Sequence, residues 1–263
     1  MHLTGRPRFL ARVFAVVALI LGAKVITHLL AFEPISLNAL FSGIIAANVF
    51  LMGFLLSGVL ADYKESERLP GELSACLENM AQEVRGIGIT KPEANVTPCL
   101  AAISTLAGTI HDWFYKKTDT DTMLGGIDDL TVQFEGLQQW TQGTFVARLK
   151  QEQSNLRRSM TRIQIIRDTD FVQSGYLLAD MITALLLVGL VLIQMDPRPF
   201  YEAMFTSGVI AFLLIFLITL IRDLDNPFGY YEKYSGADVT LQPLEDSMVR
   251  LAKLAGKDVR KPD

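Results

Sequence analysis

The stretch FSGIIAANVFLMGFLLSGVLADYKESERLPGEL (residues 41–73) starts like a membrane helix and ends like a charged helix in water. No charge occurs before Asp62. Small residues (Ser42, Gly43, Ala46, Ala47, Gly53, Ser57, Gly58) alternate with large apolar ones, and small side chains let helices approach closely. Ala46, Phe50 and Phe54 are spaced i, i+4, i+8, so they form one stripe. Spacing alone favours packing for that stripe over a pore. If several copies met around an axis, it would instead form stacked apolar rings, a constriction of the kind that gates by dewetting.

Three further stretches resemble this one. Residues 9–31, 175–195 and 203–221 join 39–61 as nearly charge-free segments. Each has roughly 20 residues, enough to cross a ~30 Å hydrocarbon core. Between the second and third lies a polar segment, 62–172. The fold class expected is therefore all-α: a polytopic membrane protein with four transmembrane helices and a helical cytosolic domain. Residues 1–61 form one membrane hairpin, 173–222 a second, and 223–263 a cytosolic turn and C-terminal helix. The first stretch has a signal-like basic start (Arg6, Arg8, Arg12), but its apolar part is too long for a typical h-region and no clear A-x-A site follows. A retained helix is expected.

Lysine and arginine in the flanks set the orientation. The loop FEPISLN (32–38) has none, and MDPRPFYE (195–202) has only Arg198. The polar segment opens with Lys64 and Arg68 and closes with Arg157, Arg158, Arg162 and Arg167. Both termini and the polar segment are placed inside, the two short loops outside.

The polar segment reads as helices. After Pro70, a good first-turn residue, apolar positions fall at Leu73, Leu77, Met80, Val84 and Ile87, and Gly86 and Gly88 close the run. A second run has Leu100, Ile103, Leu106, Ile110, Trp113 and Phe114. A third has Ile127, Leu130, Phe134 and Leu137. A fourth, from Phe145 through Leu149, Leu156, Met160, Ile163 and Ile166, is expected to continue straight into the third crossing. No period-2 strand pattern occurs.

Catalytic and metal chemistry find little support. DTDTMLGGIDDL (119–130) hints at a calcium loop, but Met123 stands where a ligand belongs and Leu130 where the glutamate belongs; it reads as a solvated turn. His2, His28 and His111 lack metal-ligand spacing. His111-Asp112 is a weak acid–base signal, and a helix-surface histidine is the plainer reading. There is no phosphate-cradling glycine loop or nucleophile elbow. Cys76 and Cys99 form no CxxC and read as reduced structural thiols. The basic run 157–167 suits lipid phosphates or acidic partners. A net charge of −4 over 263 residues gives no general field for nucleic acid. No enzyme, cofactor, metal or nucleic-acid partner is expected.

Ionisable groups inside the spans are functional candidates. Lys24 and His28 lie one turn apart near the outer end of the first helix. They either snorkel to the interface or line an outer vestibule that attracts anions. Asp180 suits a cap or an inter-helix hydrogen bond. After the last crossing, RDLDNPFGYYEK (222–233) must stop the helix, because Pro227 lacks an N–H and restrains Asn226, while Gly229 permits a reversal. Asp223 and Asp225 are expected to pair with Arg222 or with an arginine of the basic run. Phe228 is expected to anchor in the helical domain, with 241–255 packed outside it.

Two stretches resemble the bestrophin superfamily, in particular its bacterial members of unknown function. LMGFLLSGVLADYKESERLPGEL (51–73) is similar to the family's pore helix. RDLDNPFGYYEKYSGADVTLQPLE (222–245) is similar to the segment after its last crossing. The order of crossings agrees too. The resemblance implies an all-helical homopentamer in the bacterial inner membrane, with an axial pore that conducts small ions, usually anions such as chloride. It implies a neck lined by Phe54, Phe50 and Ala46, and the pore-lining set expected is Ala46, Phe50, Phe54 and Ser57. Ala46 is smaller than the family's usual residue. The family's arginine-tryptophan pair is absent beside Asp62, Tyr63 and Lys64. Tyr230-Tyr231-Glu232 replaces the acidic run of the animal calcium clasp, so calcium gating is not carried over. The rival expectation is a non-conducting membrane scaffold or signalling protein, which would pack Phe50 and Phe54 against its own helices.

Overall fold

The structure is a computed structural model that describes residues 6–36, 38–169, 173–194, 199–230 and 238–256. Eight α-helices occur among them: α1 (Arg6–Leu29), α2 (Ala39–Thr90), α3 (Thr97–Phe114), α4 (Thr120–Leu137), α5 (Gly143–Asp168), α6 (Gln173–Leu192), α7 (Phe200–Asp225) and α8 (Gln242–Leu254). Arg198, Tyr231, Glu232 and His2 lie outside the described residues. The chain divides into two compact units. One falls within 1–63, 170–227 and 232–238, the other within 64–169, 228–231 and 239–263. Helix α2 contributes to both.

In the first unit α1 packs along α6 and α7. The buried core includes Val13 and Val17 of α1, Met52, Leu55 and Val59 of α2, Leu186 and Leu190 of α6, and Leu214 of α7. Large apolar side chains also cover the outside, among them Phe14, Leu19, Leu185 and Phe205. Helices apolar on every side belong in a large protein core or a membrane, and four here are long and apolar enough to cross one. Inside the bundle, Asn48 Nδ2 donates to Thr183 Oγ1 at 3.0 Å. The Phe41 ring of α2 lies on Gly189 of α6, where a Cβ would stand 2.6 Å from Cε2. Two-residue strands, β1 (Ile35–Ser36) and β2 (Ile193–Gln194), pair in parallel between the two short connections. Both connections therefore sit at one end of the unit. Strands this short leave no alternation in the sequence.

The second unit buries the periodic residues of the polar segment. Of the apolar positions read from the sequence only Phe145 is not buried, its neighbour Val146 taking that role. Three expectations are corrected. Pro70 does not begin a helix but lies inside α2. It removes the amide that would bond the Ser66 carbonyl, yet the helix persists. Its buried side runs on in register either side of the proline through Ser66, Leu69, Leu73, Leu77, Met80, Val84 and Ile87. Residues 119–130 are not a solvated turn. Asp119 caps α4, accepting from the Thr122 amide at 2.7 Å; Met123 and Ile127 are buried, and Gly126 lets the helix approach Leu106 of α3. Finally, α5 does not run straight into the third crossing, because it ends at Asp168 and Thr169 is extended.

Candidate functional site

Residues 39–90 form one helix with two contrasting sides. The buried register above faces the protein. In the first unit, opposite Met52, Leu55 and Val59, lies an open stripe: Ala46, Phe50, Phe54, Ser57 and Ala61 are all exposed. Phe50 is 80% and Phe54 63% exposed, whereas Met52 and Leu55, one or two positions away, are at 0% and 1%. The two phenylalanines are thus not packed between helices of their own protomer. Ser42, Gly43, Ala47 and Gly53 share the open side. Composition separates this surface from the outer face of α6, where Leu177, Leu178, Met181, Leu185 and Val188 stand open. The leucine-rich face suits lipid; small residues mixed with aromatics suit close approach of another helix.

Lys24 sits elsewhere than expected. At 1% exposure it neither snorkels nor lines an open vestibule. Its ammonium donates to Glu33 Oε1 at 2.8 Å and to the Ile193 carbonyl. Thr27 Oγ1 adds a bond of 2.8 Å to the Val191 carbonyl. Helix α1, the first connection and β2 are tied together, and the buried charge is matched, as burial requires. His28 remains half-exposed, with Nδ1 3.4 Å from the same Glu33 oxygen and its ring stacked on Phe200, 4.2 Å between centroids. Glu33 was missed in the sequence. The signal was there, since it is the one charged residue of the 32–38 loop.

At the other end of the first unit, Arg222 pairs with Asp180, and Tyr176 donates to Asp225 Oδ1 at 2.7 Å. Asp225 is thus held by a tyrosine of α6, and Arg222 by the aspartate one turn further along that helix. Asn226 ends α7 outside the helical region, at φ −115° and ψ 72°. Pro227, Phe228 and Gly229 are buried. Phe228 belongs to the second unit, 5.6 Å ring to ring from Phe114. There too, Tyr230 donates to the Val239 carbonyl, and α8 packs on α3 with Arg250 Nε donating to Glu78 at 2.8 Å.

The basic run is largely engaged within the second unit. Arg162 grips Glu65 with two bonds, Nε to Oε1 at 2.8 Å and Nη2 to Oε2 at 2.6 Å. This hydrogen bonding holds the Glu65 carboxyl below its usual range. Arg157 pairs with Asp128, and the Arg167 guanidinium lies 3.7 Å over the Trp113 ring. Burial pushes both Cys76 and Cys99 up to about 12, so these free thiols are inert. His111 is buried rather than on the surface, with Nε2 3.9 Å from Glu245 and Nδ1 3.8 Å from Asp112. Among the described residues no cluster could hold a metal ion.

Four spanning helices carrying helical extensions define an all-α polytopic membrane protein. No protein-family model matches the sequence, nor does any curated protein. Solved structures do match in three dimensions. A bacterial bestrophin homologue from Klebsiella pneumoniae, in a variant form, is 15% identical with a TM-score of 0.74, over 95% of this chain and 100% of that one. A second variant of that homologue is 14% identical with a TM-score of 0.76, over 98% and 100%. A structure described only as a membrane protein is 14% identical with a TM-score of 0.79, over 92% and 97%. The chain has the bestrophin fold.

Proposed function

We propose that this protein is a bestrophin-like ion channel. Several copies, five by resemblance to bestrophins, surround an axis and turn the open side of α2 towards it. Ala46, Phe50, Phe54 and Ser57 line the path, with the two phenylalanine rings as the constriction and Ala46 as a wider outer ring. The path carries small ions passively, anions such as chloride among them. The protein sits in a bacterial inner membrane with both termini in the cytoplasm. The pairing of β1 with β2 supports this sidedness, because the two loops poor in lysine and arginine share one end. In this reading Lys24 stabilises the outer end rather than attracting ions, and His28 stays half-exposed there. Asp223, Asp225, Asn226, Pro227, Phe228 and Gly229 turn the chain from the last span into the cytosolic helices.

The observation that carries the reading is the exposure of Phe50 and Phe54 on a helix whose other side is buried. A scaffold that packed them against its own helices would hide them. The test is chloride flux from liposomes holding the purified oligomer, wild type against Phe50→Ala/Phe54→Ala. The channel predicts flux from the wild type and at least severalfold faster flux from the variant, because widening an apolar constriction removes its dewetting barrier. Silence from both, with the oligomer intact, supports the scaffold.

A further inference from the structure

Within the first unit, two buried polar side chains meet behind the open stripe of α2. Asn48 is 1% exposed and Thr183 of α6 is 5% exposed. Asn48 Nδ2 donates to Thr183 Oγ1 at 3.0 Å, while its amide oxygen Oδ1 has no hydrogen-bond partner among the described residues. Asn48 follows the first residue of α2, Ala39, by nine positions. At 1.5 Å per residue that is about 14 Å, close to the middle of a ~30 Å hydrocarbon core. An unbonded polar atom is costly there. Exchanging both partners for apolar groups of the same shape is nearly neutral or stabilising. Stability alone therefore does not explain an asparagine at this position.

Orientation supplies the reason. At 3.6 residues per turn, Asn48 lies about 160° round the helix from Phe50, and Phe41 about 180°. Phe41 meets Gly189 of the same helix, α6. The line of contact with α6 thus runs along the back of α2, opposite the phenylalanines. Met52, Leu55 and Val59 join the core on that side. Apolar burial is non-directional and by itself sets no single rotation. A hydrogen bond is directional, and setting register is the best-attested use of a buried polar group.

We propose that Asn48, bonded to Thr183, fixes the rotation of α2 about its own axis and so aims Phe50 and Phe54. This rests on the reading of α2 as the pore helix. Asn48 is a positioning residue, since it acts through the two phenylalanines and stands on the far side of the helix from them.

The test is block of chloride flux from liposomes by a charged, water-soluble thiol reagent, in full-length chains with one added cysteine. Cys76 and Cys99 are buried. Phe50→Cys is expected to be blocked. Leu51→Cys is expected to resist, being about 100° further round and packed on the core. Adding Thr183→Val keeps the shape and removes the hydroxyl. Block at Phe50→Cys should then slow by about three- to tenfold, the range for one interhelical hydrogen bond in a membrane, and Leu51→Cys should become reactive. Thr183→Ser keeps the hydroxyl and should restore the original pattern, whereas a space-filling role would be served better by valine. If Thr183→Val does not assemble, Asn48→Leu/Thr183→Val carries the test; it is expected to assemble and to show the same altered pattern. An unchanged pattern without the hydroxyl overturns the role of Asn48 and leaves the pore reading standing. Loss of assembly in both variants makes the pair structural and also overturns that role. Flux that Phe50→Cys leaves open to no block overturns the pore reading and this inference with it.

Discussion

Lys24 is a charged residue held inside an apolar bundle, and its cost is offset, among the described residues, by Glu33 and the Ile193 carbonyl. Removing one partner strands the other. Lys24→Met is expected to destabilise the protein by about 3–5 kcal/mol, read as an early thermal transition of the detergent-solubilised oligomer. Lys24→Met/Glu33→Gln should recover most of that loss, because no buried charge is left without a partner. Glu65 makes a smaller contribution that depends on pH. Its carboxyl is held low by the hydrogen bonds from Arg162. The stabilisation is therefore complete above the ordinary glutamate range and disappears as pH falls through the lower folded value. The pair is partly exposed and so screened by solvent, and its size is about 0.2–1 kcal/mol. Glu65→Gln should flatten the acid limb of a stability-against-pH curve by that amount and leave neutral pH as the region of greatest difference.

At the scale of elements, much of the architecture is legible because burial follows helical period. Leu73, Leu77, Met80 and Val84 announce the inner side of α2, and Ile103, Leu106 and Ile110 that of α3; all are buried. What was not legible follows from local signals that tertiary packing overrides. Pro70 looks like a helix start because proline suits a first turn, yet the buried register either side of it continues in phase, and burial of Leu69 and Leu73 holds the helix together. The acidic run near 119 looks like a turn until Asp119 is recognised as a cap. Partners were the least legible feature, since Tyr176 and Asp225 are brought together by folding and share no sequence pattern. The end of α2 gives a paired test. At Gly88 a Cβ would lie 2.8 Å from Val96 Cγ2, whereas at Gly86 it meets nothing within 4 Å. Val96 is β-branched and stiff. Gly86→Ala should raise stability by about 0.5–1 kcal/mol. Gly88→Ala should lower it by about 1 kcal/mol, because overpacking outweighs the helix gain. Thermal melts of the two variants decide this.

For the whole molecule, the bestrophin fold over nearly the full chain meets one specific surface, the open side of α2. The identity of 14–15% carries the shape, and the residues must carry the rest. Phe50 and Phe54 stand open, and small residues flank them. The central claim is that these sides face each other across an axis between copies. Site-directed crosslinking tests it most directly. Phe50→Cys is placed in a chain whose own two thiols are buried, and membranes are treated with a short bifunctional thiol reagent. The account predicts efficient crosslinks between copies at Phe50→Cys and few at Leu185→Cys, on the leucine-rich face of α6. Crosslinks absent at position 50, with the oligomer intact, would contradict it.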